Sequence, residues 1–336
     1  MSRSADASYR APVWLPGGHL QTIWPALHGR RLPLPHVHYR RERWTTPDQD
    51  FIDVDWLDAP SATTTATDSS QRPLLVLFHG LEGNSHSHYA RLFAHYARQQ
   101  GWAFAVPHFR GCSGEINRAP RAYHSGDYAE IGWMLQCMRQ RHSGPLLAVG
   151  VSLGGNALLR WAQEAGASAG HALLALAAIC APVDLAAGGW ALGRGLNRHV
   201  YTPMFLRTMK AKARQKLAQH PGLFDAAAMD AVRDLYAFDN VFTAPLHGFR
   251  NTDDYWQRAS AKPHLHALRL PTLLLHARND PFVPAWSLPQ AREVARCVTL
   301  WQPAQGGHVG FAQGRPPGDM HYLPQAVGGW LRQHLG

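Results

Sequence analysis

Apolar residues fall along this chain in short unbroken runs separated by longer mixed stretches. Leu74-Leu75-Val76-Leu77-Phe78, Ala103-Phe104-Ala105-Val106, Leu146-Leu147-Ala148-Val149, the run over 172–179, Thr272-Leu273-Leu274-Leu275-His276-Ala277 and Val298-Thr299-Leu300-Trp301 have the length of strands buried on both faces. The stretches over 88–100, 127–141, 157–162, 286–295 and 324–334 read as helices between them. Strand and helix alternating at this spacing predict an α/β fold, with a mostly parallel central sheet flanked by helices on both faces. Upstream, 36–46 and 51–57 read as an antiparallel hairpin at the sheet edge, turned by Pro47-Asp48-Gln49-Asp50. Its second strand alternates Ile52, Val54 and Trp56 with Asp53 and Asp55, which predicts one buried and one wet face.

The rhythm breaks over about 186–262, where helical stretches dominate and no strand-like run occurs. A helical lid inserted into the core is expected there. Residues 12–25 hold too many prolines, glycines and aromatics for a helix of any length, and predict an ordered arm wrapped over the core. The chain therefore reads as a single domain, with an arm over 1–35, a core over 36–185 and 263–336, and the lid between the core segments. Residues 61–71, rich in Ser, Thr, Ala and Asp, read as a flexible surface loop.

Composition adds limits. With 336 residues, 46% hydrophobic and 17% charged, the chain matches an ordinary globular protein with a large core. No apolar stretch reaches the length of a membrane span, and residues 1–10 lack the apolar segment of a secretory signal, so a cytoplasmic location is expected. Heavy use of Arg and Ala over Lys fits a GC-rich bacterial source. The net charge of +10 comes without a dense basic run or a nucleic-acid motif, and no nucleic-acid partner is expected. Residues 201–217 mix Phe205, Leu206, Met209 and Leu217 with Lys210, Lys212, Arg214 and Lys216. A membrane-lying helix shows such a pattern, but a lid helix packed on the core with a solvated basic face is the preferred reading. Cys112, Cys137, Cys180 and Cys297 lack metal-ligand spacing and form no disulfide framework; they read as reduced, mostly buried thiols.

The chemistry centres on Gly150-Val151-Ser152-Leu153-Gly154-Gly155-Asn156, a serine between glycines where a strand gives way to a helix. A turn this tight needs small neighbours and lifts the serine clear of the sheet, as a nucleophile elbow does. A serine nucleophile needs a base and a third group to orient it, and the order in such folds is Ser, then acid, then His. Asp280, after the strand near 272–277, and His308, after the last strand, satisfy that order. Asp184 is the rival acid; Asp253 and Asp254 fall in the lid. The oxyanion donors are expected from the N–H of Leu153 and, through His79-Gly80-Leu81, the N–H of Leu81. His79 is expected to shape that turn. His86 and His88 lack further ligands and read as loop residues, and Arg110-Gly111-Cys112-Ser113-Gly114 as a turn lining the pocket.

These motifs, with Gly18-His19-Leu20-Gln21-Thr22-Ile23, Glu82-Gly83, Asn279-Asp280-Pro281 and Gly307-His308, resemble the YheT-like α/β-hydrolases. That group also takes in eukaryotic lipid hydrolases of the α/β-hydrolase-domain 1 to 3 type and yeast medium-chain ethanol acyltransferases. The resemblance spans nearly the whole chain, and it implies the α/β-hydrolase fold with Ser152 as nucleophile, Asp280 as acid and His308 as base. It further implies hydrolysis of short- to medium-chain acyl or lipid esters, with no metal or organic cofactor. The expectation is a serine carboxylic-ester hydrolase working through an acyl-enzyme on a small-molecule or lipid ester. The alternatives are an alcohol acyltransferase using the same residues and a non-catalytic ligand-binding protein on a hydrolase fold.

Overall fold

The computed structural model describes residues 9–32, 37–57 and 71–335. Its strands are β1 (Arg40–Thr45), β2 (Phe51–Leu57), β3 (Leu74–Phe78), β4 (Ala103–Pro107), β5 (Leu146–Val151), β6 (Ala175–Ile179), β7 (Thr272–Leu275) and β8 (Val298–Trp301). The helices of three turns or more outside the β6–β7 connection are α1 (Gly17–His28), α2 (His88–Gln99), α3 (Tyr128–Arg141), α4 (Leu153–Ala165) and, near the end, one over Tyr322–Arg332. All eight strands join one sheet in the order β1-β2-β4-β3-β5-β6-β7-β8. The β1–β2 and β2–β4 pairs are antiparallel and the rest are parallel, so the expected mostly parallel sheet is observed.

The apolar runs are continuous because the sheet is covered on both sides. Side chains alternate along a strand, so Leu74, Val76 and Phe78 of β3 enter one core with Ile131 and Met134 of α3 and Leu158 of α4. Leu75 and Leu77 enter the other, with Phe93 of α2 and Val327 of the last helix. From β3 the chain steps to β4 on one side, then crosses back to β5 and continues outward to β8. That reversal opens a crevice at the carboxyl ends of β3 and β5, where open α/β sheets bind ligands.

Between β6 and β7 the chain is helical, with α5 (Leu185–Leu192), α6 (Gly195–Gln219), α7 (Ala226–Ala231) and α8 (Thr252–Ala259) as its longer pieces; the helix over Tyr322–Arg332 is α9. Leu206 and Ala213 of α6 pack with Met229, Phe238 and Phe242 into a small core of the insertion's own.

Four expectations are corrected. The first is that 12–25 holds no helix: α1 takes in 17–25 despite Pro25, and only 12–16 are non-helical. A proline inside a helix frees the carbonyl four residues back. Here that carbonyl belongs to Gln21, and Gly310 makes room for it: a Cβ there would stand 1.9 Å from the oxygen. Second, the face of β2 carrying Asp53 and Asp55 is buried, not wet. The β1–β2 register sets Arg43 opposite Asp53 and Arg41 opposite Asp55, and each arginine grips its carboxylate with two hydrogen bonds of 2.7–3.0 Å. Third, 286–295 is not a helix but two single turns, Ala285–Ser287 and Ala291–Glu293, as Pro289 between them has no N–H to continue a ladder. Fourth, β6 starts at Ala175, since Ala169–Ala172 closes the preceding helical segment. Of the surface loop expected over 61–71, residues 61–70 lie outside the described residues, as do residues 1–8 and 33–36.

Candidate active site

Ser152 caps α4 directly after β5, with φ 53° and ψ −121°, a conformation that costs about 1–3 kcal/mol for a residue with a Cβ. The turn is held by its glycines. A Cβ on Gly154 would come 2.5 Å from the carbonyl oxygens of Phe78 and His79, and one on Gly150 would come 2.6 Å from the Gly154 oxygen. Close passage of β3 over this turn is what aims the serine side chain into the crevice.

The structure brings Ser152, His308 and Asp280 together. The Ser152 Oγ lies 3.0 Å from His308 Nε2, and His308 Nδ1 lies 2.8 Å from Asp280 Oδ2. Asp280 is fully enclosed, and its second oxygen accepts the N–H groups of Phe282 at 2.7 Å and Val283 at 3.3 Å. The carboxylate is thereby fixed from one side while it orients the imidazole from the other. The rival Asp184 instead caps α5, accepting the Ala187 N–H at 3.0 Å, and Asp253 accepts the Tyr236 hydroxyl at the same distance.

Leu81 and Leu153 line the same cleft as Ser152 and His308. The Leu153 N–H sits in the first turn of α4, where helices leave donors unpaired. On the β3 loop the Gly80 N–H donates to the Tyr89 hydroxyl and the Glu82 N–H to the Tyr123 hydroxyl, both at 2.9 Å. The intervening Leu81 N–H has no partner among the described residues. His79 is wholly buried; its Nε2 accepts the Phe109 N–H at 3.0 Å, so Nδ1 carries the proton and donates to the Gly80 oxygen at 2.8 Å. Burial, with His108 beside it, lowers its pKa to about 3, which keeps the ring neutral and suits a fixed strut in the turn.

Several residues at the site were not legible as functional. Gln21 Oε1 accepts both the Asn279 side-chain amide and the Gly306 N–H at 2.9 Å, and Thr22 Oγ1 accepts the His308 N–H at 2.9 Å while donating to the Gly18 oxygen at 2.7 Å. Asn279 Oδ1 in turn accepts the Gly307 N–H at 3.0 Å. α1 thus clasps the loops that carry Asp280 and His308. The motif around Gly18 was visible; its partners, more than 250 residues away in sequence, were not. Lys212 of α6 donates to Glu82 Oε1 at 2.9 Å and lies 3.3 Å from Cys112 Sγ, so the insertion is tied to the β3 loop. Arg110 faces the cleft but spends its guanidinium on Glu130 at 2.6 Å, Asp48 at 2.8 Å and Asp50 at 2.9 Å, which leaves nothing for a phosphate.

The cleft encloses about 1150 Å³ including its open mouth. Its walls beyond Ser152 come mostly from the insertion, with Leu192, Phe205, Met209, Phe238 and Phe242 among them. One acid, Asp239, enters this apolar part; burial raises its pKa to about 6, against the pull of hydrogen bonds from Thr243 and Trp256. Among the described residues, one grouping has ligand-type atoms close enough for a metal: Cys180, Asp280 and His308. Two of these are already bonded to each other, and burial holds the Cys180 thiol well above its ordinary pKa, hence protonated. His86 and His88 belong to no such grouping among the described residues.

Residues 73–314 match the family described as the alpha/beta hydrolase fold. YheT of Escherichia coli (strain K12), a protein that carries the name of an esterase, is 36% identical over 94% of this chain and 91% of its own. The phospholipase ABHD3 of Homo sapiens is 29% identical over 94% of this chain and 76% of its own. In shape the chain is similar to the Pyrococcus furiosus esterase Pf2001, with a TM-score of 0.55 over 89% of this chain and 94% of that one; at 15% identity this likeness speaks for the fold alone.

Proposed function

The chain belongs to the α/β-hydrolase fold family, in its YheT-like group, and from that premise we propose that it is a serine carboxylic-ester hydrolase taking short- to medium-chain acyl or lipid esters. The esterase and phospholipase names of its relatives support ester hydrolysis at the coarse level. The observation that carries the finer reading is the Ser152–His308–Asp280 chain of 3.0 and 2.8 Å contacts on the floor of an apolar cleft.

In this reading Ser152 Oγ attacks the ester carbonyl carbon while His308 Nε2 takes the hydroxyl proton. The oxygen that becomes negative is met by the N–H groups of Leu81 and Leu153, each worth roughly 3 kcal/mol of transition-state stabilisation. The bond to the alcohol oxygen breaks as His308 returns the proton to it, leaving Ser152 acylated. Water then attacks the acyl carbon, His308 takes its proton, and collapse of the second adduct frees the acid and gives Ser152 its proton back. Asp280 keeps Nδ1 protonated and the ring in register throughout. The insertion over 186–262 serves as the lid, its apolar wall receiving the acyl chain.

Ser152→Ala is expected to lower hydrolysis of p-nitrophenyl esters by on the order of 10⁴ or more with an unchanged circular dichroism spectrum. A pure sample of that variant retaining most of the activity refutes the assignment. A fluorophosphonate probe should label the wild-type chain at Ser152.

A further inference from the structure

Two helices beside the cleft turn apolar residues outward. α1 exposes Leu20, Trp24 and Leu27, spaced to share one helical face, and α6 exposes Leu196, Val200 and Met204 at four-residue intervals. Leu196 and Met204 keep more than half of their surface in solvent, at 52% and 55%. The helices touch. The His19 ring stacks on that of Tyr201 with centroids 5.8 Å apart, and His19 Nδ1 lies 3.2 Å from the Tyr201 hydroxyl. Beneath them Ile23, Tyr201, Phe205, Phe282 and Val283 form one cluster, and Phe282 stands 4.3 Å, ring to ring, from His308. The inner side of that cluster lines the cleft; the exposed residues stand on its outer side. Trp286, 74% exposed, projects from the segment that follows Val283.

Charge identifies the partner. Neither α1 nor α6 contains a single Asp or Glu. Arg198 and Arg207 of α6 are exposed and make no ion pair among the described residues, and Arg194 lays its guanidinium over the exposed Trp190 ring at 5.7 Å. An exposed apolar strip on helices that carry exposed arginines, Arg207 in line with the strip itself, and no anions is the pattern of a helix that lies in the headgroup region of an anionic lipid layer. The described helices include none long and apolar enough to cross a membrane. The residues concerned are not those of the 201–217 pattern: Phe205 and Met209 face the cleft, Leu206 is buried, and Lys212 and Lys216 are bound inside, the latter to the carbonyls of Asn117 and Ala119.

We infer that the face formed by α1, the start of α6 and Trp286 docks on an anionic phospholipid surface and so brings lipid esters to the mouth of the cleft. The inference rests on the ester-hydrolase reading for its substrate, but its binding step is tested without turnover. Full-length chain carrying Ser152→Ala is sedimented with vesicles of phosphatidylcholine alone, or of equal parts phosphatidylcholine and phosphatidylglycerol, at low and high salt. Binding to the phosphatidylglycerol vesicles at low salt, with release at high salt, is expected. Adding Arg198→Glu and Arg207→Glu should weaken it roughly tenfold or more, and adding Val200→Asp and Met204→Asp should do likewise, with thermal melting unchanged in both variants. In the catalytically intact background, both pairs should leave turnover of a soluble short-chain ester unaltered.

Absence of binding to phosphatidylglycerol vesicles at low salt overturns the inference, and so does binding that neither pair of substitutions weakens. A stable dimer that Val200→Asp splits, with no vesicle binding, assigns the face to a second copy instead. Vesicle binding by a chain inactive on every ester leaves the docking face standing and removes only the ester-hydrolase reading.

Discussion

Thr22→Val removes one hydroxyl and leaves the side-chain shape almost unchanged, at a residue that lines no part of the cleft. That hydroxyl donates to the Gly18 oxygen at 2.7 Å and accepts the N–H of His308 at 2.9 Å, and Thr22 is 7% exposed. Each enclosed group left without its partner loses roughly 1–3 kcal/mol. The loop can recover part of this only by moving, and the group that moves is the proposed base. With His308 Nε2 at 3.0 Å from Ser152 Oγ, a small shift lengthens the contact through which the proton passes in the proposed mechanism. If about half of the penalty at His308 is transferred to the reaction, the transition state loses roughly 1 kcal/mol, and if most of it is, roughly 2 kcal/mol; kcat/KM then falls about 5- to 30-fold. The loss should appear in kcat, with KM on a p-nitrophenyl ester nearly unchanged, and the rate of fluorophosphonate labelling should fall in parallel. Thr22→Ser restores the hydroxyl and should restore both rates. A Thr22→Val protein with lowered melting temperature but wild-type kcat would refute the reasoning, because the hydroxyl would then hold the fold and not the base.

Two further outcomes follow from buried charge. Arg110→Met removes the cation that pairs with Asp50 and Glu130, both almost fully enclosed, and should lower stability by about 3–5 kcal/mol, read as an earlier urea midpoint; a loss below about 1 kcal/mol contradicts the network. Asp239 holds its proton more tightly folded, at about 6, than unfolded, at 3.8. The unfolded chain therefore binds fewer protons in this window, and stability is lost as pH rises through it, by roughly 3 kcal/mol in all. Asp239→Asn should flatten that slope, and an unchanged slope would place the titration elsewhere.

Strands β3 to β8 were legible because both faces of each are covered, which forces continuous apolar runs whatever the partners. Ser152, Asp280 and His308 could be singled out because each follows a strand end, and strand ends share one edge of a parallel sheet. What escaped the sequence is what depends on partners elsewhere. α1 carries a proline and little local preference for helix; it is held by Gln21 and Thr22 bonding to loops near residues 279 and 306–308. Asp53 and Asp55 alternate like solvent-facing residues, and the signal that they are buried was on the neighbouring strand, where Arg41 and Arg43 alternate with the same period. The lysines of α6 read as a solvated face because a helical pattern says which residues share a side, not what Lys212 and Lys216 meet there.

The clasp between α1 and the His308 loop joins groups separated by 258 to 286 residues of chain. The helix-start bonds of the elbow are local by contrast, with the N–H groups of Gly155 and Asn156 both reaching the Ser152 carbonyl oxygen, and the residues that press on the turn, Phe78 and His79, lie much nearer in the chain than α1 does to the His308 loop. Contacts across such a span form only after most of the intervening chain has been ordered, since the entropy of closing the loop must be met first. The Ser152 turn is therefore expected to form before the His308 loop is locked against α1. For the proposed hydrolase this makes recovery of activity a late event: on dilution from denaturant, ester turnover should return after the helical signal has recovered.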